Sequence, residues 1–587
     1  GARGSCLLLE PLQLGGVMLD YVIKGGTIVD GTGAAPRQGD VGIRGDRIVA
    51  VGEVDEQAKE TIDADGQLVT PGFVDPHTHY DAQLYWDGYA TPSSNHGVTS
   101  VIGGNCGFTL APLKSVDADY TRRMMAKVEG MPLQALENGV DWKWETFGQY
   151  LDGLEGRIGV NAGFLVGHCA LRRYVLGPEA GEREGTADEL SSMVSILNQS
   201  LDAGGLGLST SRSSTHNDGD NQPVPSRAAS EEELLTLCRT VGEHPGTTLE
   251  AIVEGCLRGF SGDEIELMAA MSAQANRPLN WNVLSVQASD TDKIEQQLLP
   301  SERARQVGGR VVALTMPIFA DNNMSLGTFC ALWLIPGWHD VLSLPMAEKT
   351  QKLRDPSVRA GMVAAAQGTV FERLADFSNY RIGDTVTPEN RKYEGRLITD
   401  IAQELGVDPA DALIDITAAD EYKTVLWPLP TADTAEDWAV RRDLWGHQDV
   451  MLGGSDAGAH LDRMLGSPYP TRFLGDTLRG RKLVPLERAV QLMTDVPARL
   501  FGLRDRGRLE VGGFADVGIF DPDTVDSGPA KRVFDLPGDS LRLTSKSIGV
   551  SRVFVNGSPT IENGESTGAL GGTVLRSGRN TDTVATH

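Results

Sequence analysis

The chain has 587 residues, of which 40% are hydrophobic and 23% are charged, and its formal net charge is −27. This composition excludes a largely disordered chain, and the length predicts one large domain joined to smaller ones. The negative charge excludes nucleic acid as a partner, because the phosphate backbone would be repelled.

Neither a disulfide framework nor a membrane segment is expected. The six cysteines have no paired spacing, which is typical of reduced intracellular thiols. No apolar run approaches the roughly 20 residues that span a bilayer. Residues 1–17 lack a signal-length apolar core, and we interpret them as an N-terminal extension before Met18. These features predict a cytoplasmic protein without a membrane partner, and homo-oligomerisation stays open.

Strand-like segments occur near both ends of the chain. Short β-rich runs separated by Gly and Asp extend from Tyr21 to Thr70, and similar runs return in RLEVGGFADVGIFDP and SRVFVNGSPTIENG. Alternation over four to eight residues between turn residues is the signal of strands and hairpins. The Gly/Ser/Thr-rich stretch 566–587 is predicted to be a loose tail.

Between these ends, apolar runs alternate with helix-like stretches, which indicates βα units around a parallel sheet. Two of the helices have start signals, at Thr186 and at Ser230, where acidic residues follow a capping hydroxyl. Eight such units closed into an α/β fold, a (β/α)8 TIM-type barrel, would account for residues 71–504. The stretch 320–440 is too long for one βα connection and is predicted to be an inserted subdomain or lid.

The segment PGFVDPHTHYD, residues 71–81, has two histidines at the end of an apolar strand. In an extended strand alternate side chains share a face, so His77 and His79 point the same way. Two imidazoles on one face predict a metal site. The alternative is a pair of satisfied polar residues at a strand end, which the surrounding motifs disfavour.

Several segments, in their order along the chain, resemble the amidohydrolase superfamily and its N-acyl-D-amino-acid deacylase branch. PGFVDPHTH resembles the first-strand metal motif, and VTSVIGGNCGFTLAPL resembles the second-strand motif of the D-aminoacylases. GFLVGHCALRR and GLGLSTSR resemble the next barrel segments, and LGGSDAGAHLDRMLGSPYPTRFLG resembles the eighth. The resemblance implies that residues 18–70 and 505–565 together form a small β-sandwich outside the barrel.

The resemblance also implies roles for three residues. Cys106 and Asp456 match metal ligands, Asp456 matches the proton shuttle as well, and Arg463 matches an arginine that grips the substrate carboxylate. The alternative for Cys106 is a small buried filler, for Asp456 a helix cap, and for Arg463 an ordinary exposed arginine.

Two histidines have open roles. His168 ends an apolar run and is either a substrate-binding residue at the barrel mouth or a structural hydrogen-bonding residue. His216 lies in a loop, where it either approaches the site or is solvated.

The chain departs from the resembling family at its fifth and sixth strands. GTTLEAIVEG and RPLNWNVLS contain no histidine where the family has metal ligands, and the family's lysine is also absent. Glu250 lies at or beside the first position, with Asn280 and Asn282 around the second.

A single metal ion is therefore expected, held by His77, His79 and Asp456 with help from Cys106 or Glu250. Zinc fits these ligands, and other divalent metals stay open.

The function implied by the resemblance is hydrolysis of a linear amide, such as an N-acyl-D-amino acid, by metal-activated water with Asp456 as proton shuttle. The expected partner is therefore a small-molecule amide. One alternative is a mononuclear deaminase or cyclic-amide hydrolase on the same barrel, since the fold alone does not separate these activities. Another is a non-catalytic binding protein that keeps the barrel as a scaffold.

Overall fold

The computed structural model describes residues 18–328, 330–369 and 371–586. The extension predicted at residues 1–17 lies outside the described residues. Within the described ranges, none of the helices combines the length and the apolar character needed to cross a membrane.

Eight parallel strands form the centre of the molecule and are numbered here in chain order. They are β1 (Phe73–Asp75), β2 (Val98–Gly103), β3 (Asn161–Phe164, continued by Val166–Gly167), β4 (Gly207–Ser211), β5 (Thr248–Ile252), β6 (Leu279–Trp281), β7 (Val311–Thr315) and β8 (Val450–Leu452). Each strand pairs with the next, and β3 changes from one sheet to the other at its midpoint. An isolated parallel bridge between Thr78 and Ala457 connects the residues after β1 to those after β8. The prediction of an α/β chain with a buried parallel sheet is confirmed.

Helices alternate with these strands. The helices of the central region are Ala118–Val128, Leu133–Gly139, Phe147–Asp152, His168–Leu176, Ala187–Asp202, Glu231–Gly242, Gly255–Arg258, Gly262–Ala275, Thr291–Gln306, Ala435–Leu444, Tyr469–Leu478, Leu486–Met493 and Asp495–Leu500. Thr186 caps its helix in a reciprocal box with Glu189, as its sequence predicts. Ser230 also accepts the N–H of Glu233, but the Glu233 side chain turns away to bond His168.

Strands from both ends of the chain join in one nine-stranded sheet. They are Leu19–Ile28, Arg37–Arg44, Arg47–Gly52, Ala58–Asp63, Leu68–Pro71, Val517–Phe520, Val550–Val555, Ser558–Glu562 and Glu565–Ser566. The two ends meet where Leu68–Pro71 runs antiparallel to Val517–Phe520. Ile23, Val69 and Phe554 belong to one apolar cluster, so both chain ends contribute to the same core.

Short strand pairs complete the sheets. They are Asp526–Ser527 with Ser547–Ile548, Lys531–Leu536 with Ser540–Thr544, Tyr380–Ile382 with Leu426–Pro428, and Asp321–Asn322 with Met464–Leu465. The last of these pairs connects the segment after β7 to the loop after β8.

The connection between β7 and β8 contains a lobe with its own apolar core. That core runs from Met324 to Leu426 and is separate from the core around the parallel strands. Its helices are His339–Leu342, Met346–Leu353, Pro356–Ala366, Ile398–Leu405 and Pro409–Ala419. The lobe falls inside the stretch whose length and irregularity predicted an insertion.

The stretch 566–586 is not loose, so the prediction of a loose tail is wrong for its described part. Val574 and Leu575 are buried and pair in parallel with the first half of β3. That half would otherwise have an unpaired edge, because β4 pairs only with the second half. Composition indicated a tail, whereas one apolar dipeptide completes a distant strand edge.

We expect the Leu575→Ala variant to unfold about 2 to 4 kcal/mol more easily than the wild type, because truncating a buried leucine leaves a cavity. Leu570→Ala is the matched control in the same segment, since Leu570 is 48% exposed and Leu575 is 0% exposed. Denaturant unfolding of the two variants measures the difference. Equal, small effects would mean that the segment contributes nothing to the fold.

Candidate metal centre

Three side chains of types that coordinate metals meet beyond the carboxyl ends of β1 and β2, and together with Asp456 they form the donor group. One donor atom each from His77, His79 and Cys106 lies within 4.8 Å of the other two, and all three residues are buried. His77 Nε2 is 3.6 Å from Cys106 Sγ. The two histidines follow β1 at alternate positions, and their ring centroids are 5.3 Å apart. The structure thus brings together the histidine pair and the cysteine that the sequence singled out.

Asp456 reaches the same histidines from the loop after β8. Its Oδ1 lies 3.0 Å from His79 Nε2 and 3.4 Å from His77 Nε2. The Asp456 N–H donates to His77 O at 3.2 Å, and the His79 N–H donates to Ala457 O at 2.7 Å. A Cβ on Gly458 would stand 2.5 Å from His79 O, so this close approach requires glycine. The backbone therefore places the aspartate.

Cys106 and Asp456 both have left-handed backbone conformations, each with φ near 56°. Such conformations cost about 1 to 3 kcal/mol for a non-glycine residue and persist where neighbouring contacts enforce them. For Cys106 the contact is Glu250 on β5, whose Oε2 accepts the Cys106 N–H at 2.7 Å. Glu250, a predicted ligand, thus lies beside the donor group and holds the cysteine backbone.

The donor set fits one cation. Donors around a tetrahedral zinc ion are about 3.3 to 3.7 Å apart, which matches the 3.4 and 3.6 Å between His77 Nε2 and its two neighbours, Asp456 and Cys106. Glu250 Oε1, Asn280 Oδ1 and Asn282 Oδ1 are buried and accept no hydrogen bond from the described residues. Buried acceptors without donors are uncommon and indicate a place for a cation or water.

Burial and crowding of charges shift the pKa values of the group. Burial alone would raise the pKa of Asp456, but hydrogen bonds from His77 and His79 hold it well below its usual range. Burial alone would lower the pKa of His79, yet the carboxylates of Glu129 and Asp456 raise it to about 10. Burial raises the pKa of Glu250 to about 8. Buried carboxylates thus compete for positive charge here, which favours a bound cation.

Sequence reasoning missed two residues of this site. Glu129 is almost fully buried, and its Oε2 lies 3.4 Å from His79 Nδ1. Its carbonyl accepts the N–H of His460, whose Nε2 is 4.0 Å from Asp456 Oδ2. In the sequence, Glu129 directly follows a helix and has the pattern of an ordinary helix end. No local signal distinguishes it.

His168 lies in a buried network and contacts protein groups through both ring nitrogens, which supports its structural alternative over its predicted role in substrate binding. Its Nδ1 lies 2.9 Å from Thr210 Oγ1, and its Nε2 lies 2.9 Å from Glu233 Oε1. Arg172 also bonds Glu233, and none of these groups is more than 2% exposed. Because both ring nitrogens are occupied by protein groups, the alternative structural role is the one supported.

Arg463 and His216 differ in their contacts and in their burial. The Arg463 guanidinium bonds the neighbouring Asp462, with Nε 2.9 Å from Oδ1, and is about one-third exposed. Its predicted contact with a substrate carboxylate stays a prediction. His216 is half-buried against Phe108, so the alternative of a fully solvated loop histidine does not hold.

Comparisons with known proteins support this picture over most of the chain. The Amidohydrolase family model matches residues 60–561. A D-aminoacylase from Alcaligenes xylosoxydans xylosoxydans is 29% identical over 561 residues, covering 95% of this chain and 97% of the relative. An N-acyl-D-glutamate deacylase from the same organism is 30% identical over 554 residues, covering 92% and 93%.

A solved structure is similar over the same extent. It is an N-acyl-D-glutamate deacylase from Bordetella bronchiseptica, complexed with zinc and a phosphonate inhibitor that mimics the tetrahedral intermediate. The TM-score is 0.61 at 25% identity, and the match covers 96% of this chain and 100% of that chain. The similarity therefore extends over nearly the whole chain.

We expect Glu129→Gln to weaken zinc binding by roughly 10- to 100-fold, because a carboxylate on the far nitrogen of a ligating histidine orients the ring and increases its basicity. Competition with a chromophoric chelator measures the affinity. Glu137→Gln, which alters an exposed glutamate nearby, is the control and should bind zinc like the wild type. Wild-type affinity in Glu129→Gln would show that His79 is oriented without this carboxylate.

Proposed function

This chain belongs to the amidohydrolase family, and we propose that it hydrolyses the C–N bond of an N-acyl-D-amino acid or a related linear amide. It is a metal-dependent hydrolase acting on carbon–nitrogen bonds other than peptide bonds. The observation that carries the proposal is the meeting of the buried residues His77, His79 and Cys106, with the partly exposed Asp456 in contact with both histidines. Relatives of nearly full coverage, a D-aminoacylase and an N-acyl-D-glutamate deacylase, support the substrate class.

We infer that the eight parallel strands close into a (β/α)8 barrel over residues 71–504, with 320–440 as an insertion. The parallel order of the strands and the bridge between Thr78 and Ala457 support closure. We also infer a small sandwich from residues 18–70 and 505–565, because both segments contribute to one apolar core. In such barrels the active site lies at the carboxyl ends of the strands, where the donor group lies here.

The residues that would hold the metal are His77, His79 and Asp456, with Cys106 as a further ligand and Glu250 beside them. We propose one zinc ion. A divalent ion bound there supplies Lewis acidity, which activates water and polarises the amide carbonyl. The nitrogen and sulfur donors favour zinc over magnesium or calcium, which prefer oxygen ligands.

Asp456 is the proposed proton shuttle. Its contacts with the two histidines hold its pKa well below the usual range, so it is ionised at neutral pH. A carboxylate in this position accepts a proton from the attacking water as the new C–O bond forms. It then delivers that proton to the amide nitrogen as the C–N bond breaks, and the products are a carboxylate and an amine.

Arg463 is the proposed contact for the substrate carboxylate. It lies seven residues beyond Asp456, on the same loop, and its guanidinium is partly exposed. A planar guanidinium matches a carboxylate with two parallel hydrogen bonds. In the absence of substrate the charge is balanced by Asp462.

The first experiment measures metal per chain in the purified protein and in the His77→Ala and Asp456→Asn variants. We expect about one ion in the wild type and a much lower occupancy in the variants, because each variant removes a proposed donor. His339→Ala, which changes an exposed histidine of the inserted lobe, is the control. A wild type that takes up no metal after zinc is offered would favour a non-catalytic binding protein.

The second experiment identifies the products formed from N-acyl-D-amino acids by the zinc-loaded protein. We expect a free carboxylate and a free D-amino acid in equal amounts, and no activity above background in Asp456→Asn, because the proton shuttle is lost. Ammonia as the product would instead indicate a deaminase. Turnover of cyclic amides alone would indicate a cyclic-amide hydrolase, and either result would overturn linear-amide hydrolysis.

A further inference from the structure

One histidine near the metal centre has no role in the proposed chemistry. His216 lies in the loop after β4, and its Nδ1 is 2.7 Å from the hydroxyl of Ser211, the last residue of that strand. Strand β4 pairs with β5 so that Ser209 lies beside Glu250. His216 therefore lies at the same end of the parallel strands as the donor group.

The ring of His216 is also fixed by packing. It meets Phe108 edge to face, with centroids 5.2 Å apart and planes at 62°. Phe108 follows Cys106 by two residues and is fully buried. The contact sets His216 directly against the turn that carries the cysteine.

The loop around His216 is held in place before any ligand arrives. Arg227 donates to His216 O at 3.1 Å and to Asn217 Oδ1 at 2.8 Å. Ser214 donates through its N–H and hydroxyl to Glu254 Oε2, at 2.8 and 2.6 Å. Fixed donors contribute most to catalysis when they need no reorganisation, and this loop meets that condition.

The ring is neutral, and one of its nitrogens has no hydrogen-bond partner among the described residues. Burial lowers the pKa of His216 to about 4, and its charge interactions include Asp456, His460 and His79. The Ser211 hydroxyl accepts the N–H of Ser213 at 3.4 Å, and it is able to donate its own hydrogen to His216 Nδ1. In that tautomer Nε2 carries the proton, and no residue in the described ranges hydrogen-bonds it.

We propose that His216 is a catalytic residue whose Nε2–H donates a hydrogen bond to the acyl carbonyl oxygen of the substrate. This inference rests on the proposed amide hydrolysis. Negative charge develops on that oxygen as water adds to the carbonyl carbon, so the hydrogen bond is stronger in the transition state than in the ground state. A neutral imidazole serves as such a donor without giving up its proton.

The test compares His216→Ala, His216→Gln and the control His339→Ala in zinc-loaded, full-length protein. We expect His216→Ala to lower kcat roughly 100-fold with little change in KM, at an unchanged zinc content. His216→Gln should recover part of kcat, since its amide also offers an N–H. An unchanged kcat, a rise in KM alone, or loss of zinc from His216→Ala would each overturn the proposal.

A binding measurement separates this proposal from the proposed activity. The probe is a phosphonate analogue of the N-acyl-D-amino acid, with phosphorus in place of the acyl carbon, titrated by calorimetry into each zinc-loaded variant. We expect roughly 10- to 100-fold weaker binding to His216→Ala. If the wild type binds the probe yet hydrolyses no amide, the proposed activity fails while His216 is still tested. Equal affinities in wild type and His216→Ala would exclude the donor role.

Discussion

The structure depends on the backbone hydrogen bonds that join the residues after β1 to those after β8. The His79 N–H bonds Ala457 O and the Asp456 N–H bonds His77 O, beside the bridge at Thr78. These bonds connect the last parallel strand to the first, and they also set the Asp456 carboxylate against both imidazoles. The geometry of the donor group therefore follows from the strand order, and a shift of one residue in this register would separate the ligands.

The contact between the residues after β1 and those after β8 also lies beside several buried acidic side chains. Burial raises the pKa of Glu129 to about 7 and that of Asp81 to about 6, while Asp456 has its pKa lowered by the two histidines. Isolated buried carboxylates are costly, and paired ones persist only with compensating positive charge. His79 supplies part of that charge, and a divalent cation among the donors would supply the rest. Metal binding is thus expected to stabilise the fold as well as to enable the chemistry.

Sequence reasoning succeeded where the signal was local and failed where the contact was distant. The alternate histidines that follow β1 and the capping box at Thr186 depend on spacing along a few residues, and the structure has both. Glu129 has no such signal, because its partner His79 lies 50 positions away and its own neighbours resemble a helix end. The structural role of His168 had no local signal for the same reason, since its partner Glu233 lies on a later helix.

Strands β5 and β6 lack the histidines that are metal ligands in the resembling family, and this absence favours one ion rather than two. Glu250 directs one carboxylate oxygen to the Cys106 N–H, so part of its binding capacity holds the left-handed cysteine in place. Asn280 donates its amide to Leu249 O, and its neutral Oδ1 is buried without a hydrogen-bond partner among the described residues. Neutral amide oxygens are poorer ligands for zinc than imidazoles are, and they bring no negative charge to a second ion. We propose that His77, His79 and Asp456 hold one ion with the help of Cys106, while the polar groups of β5 and β6 remain to bind substrate or water.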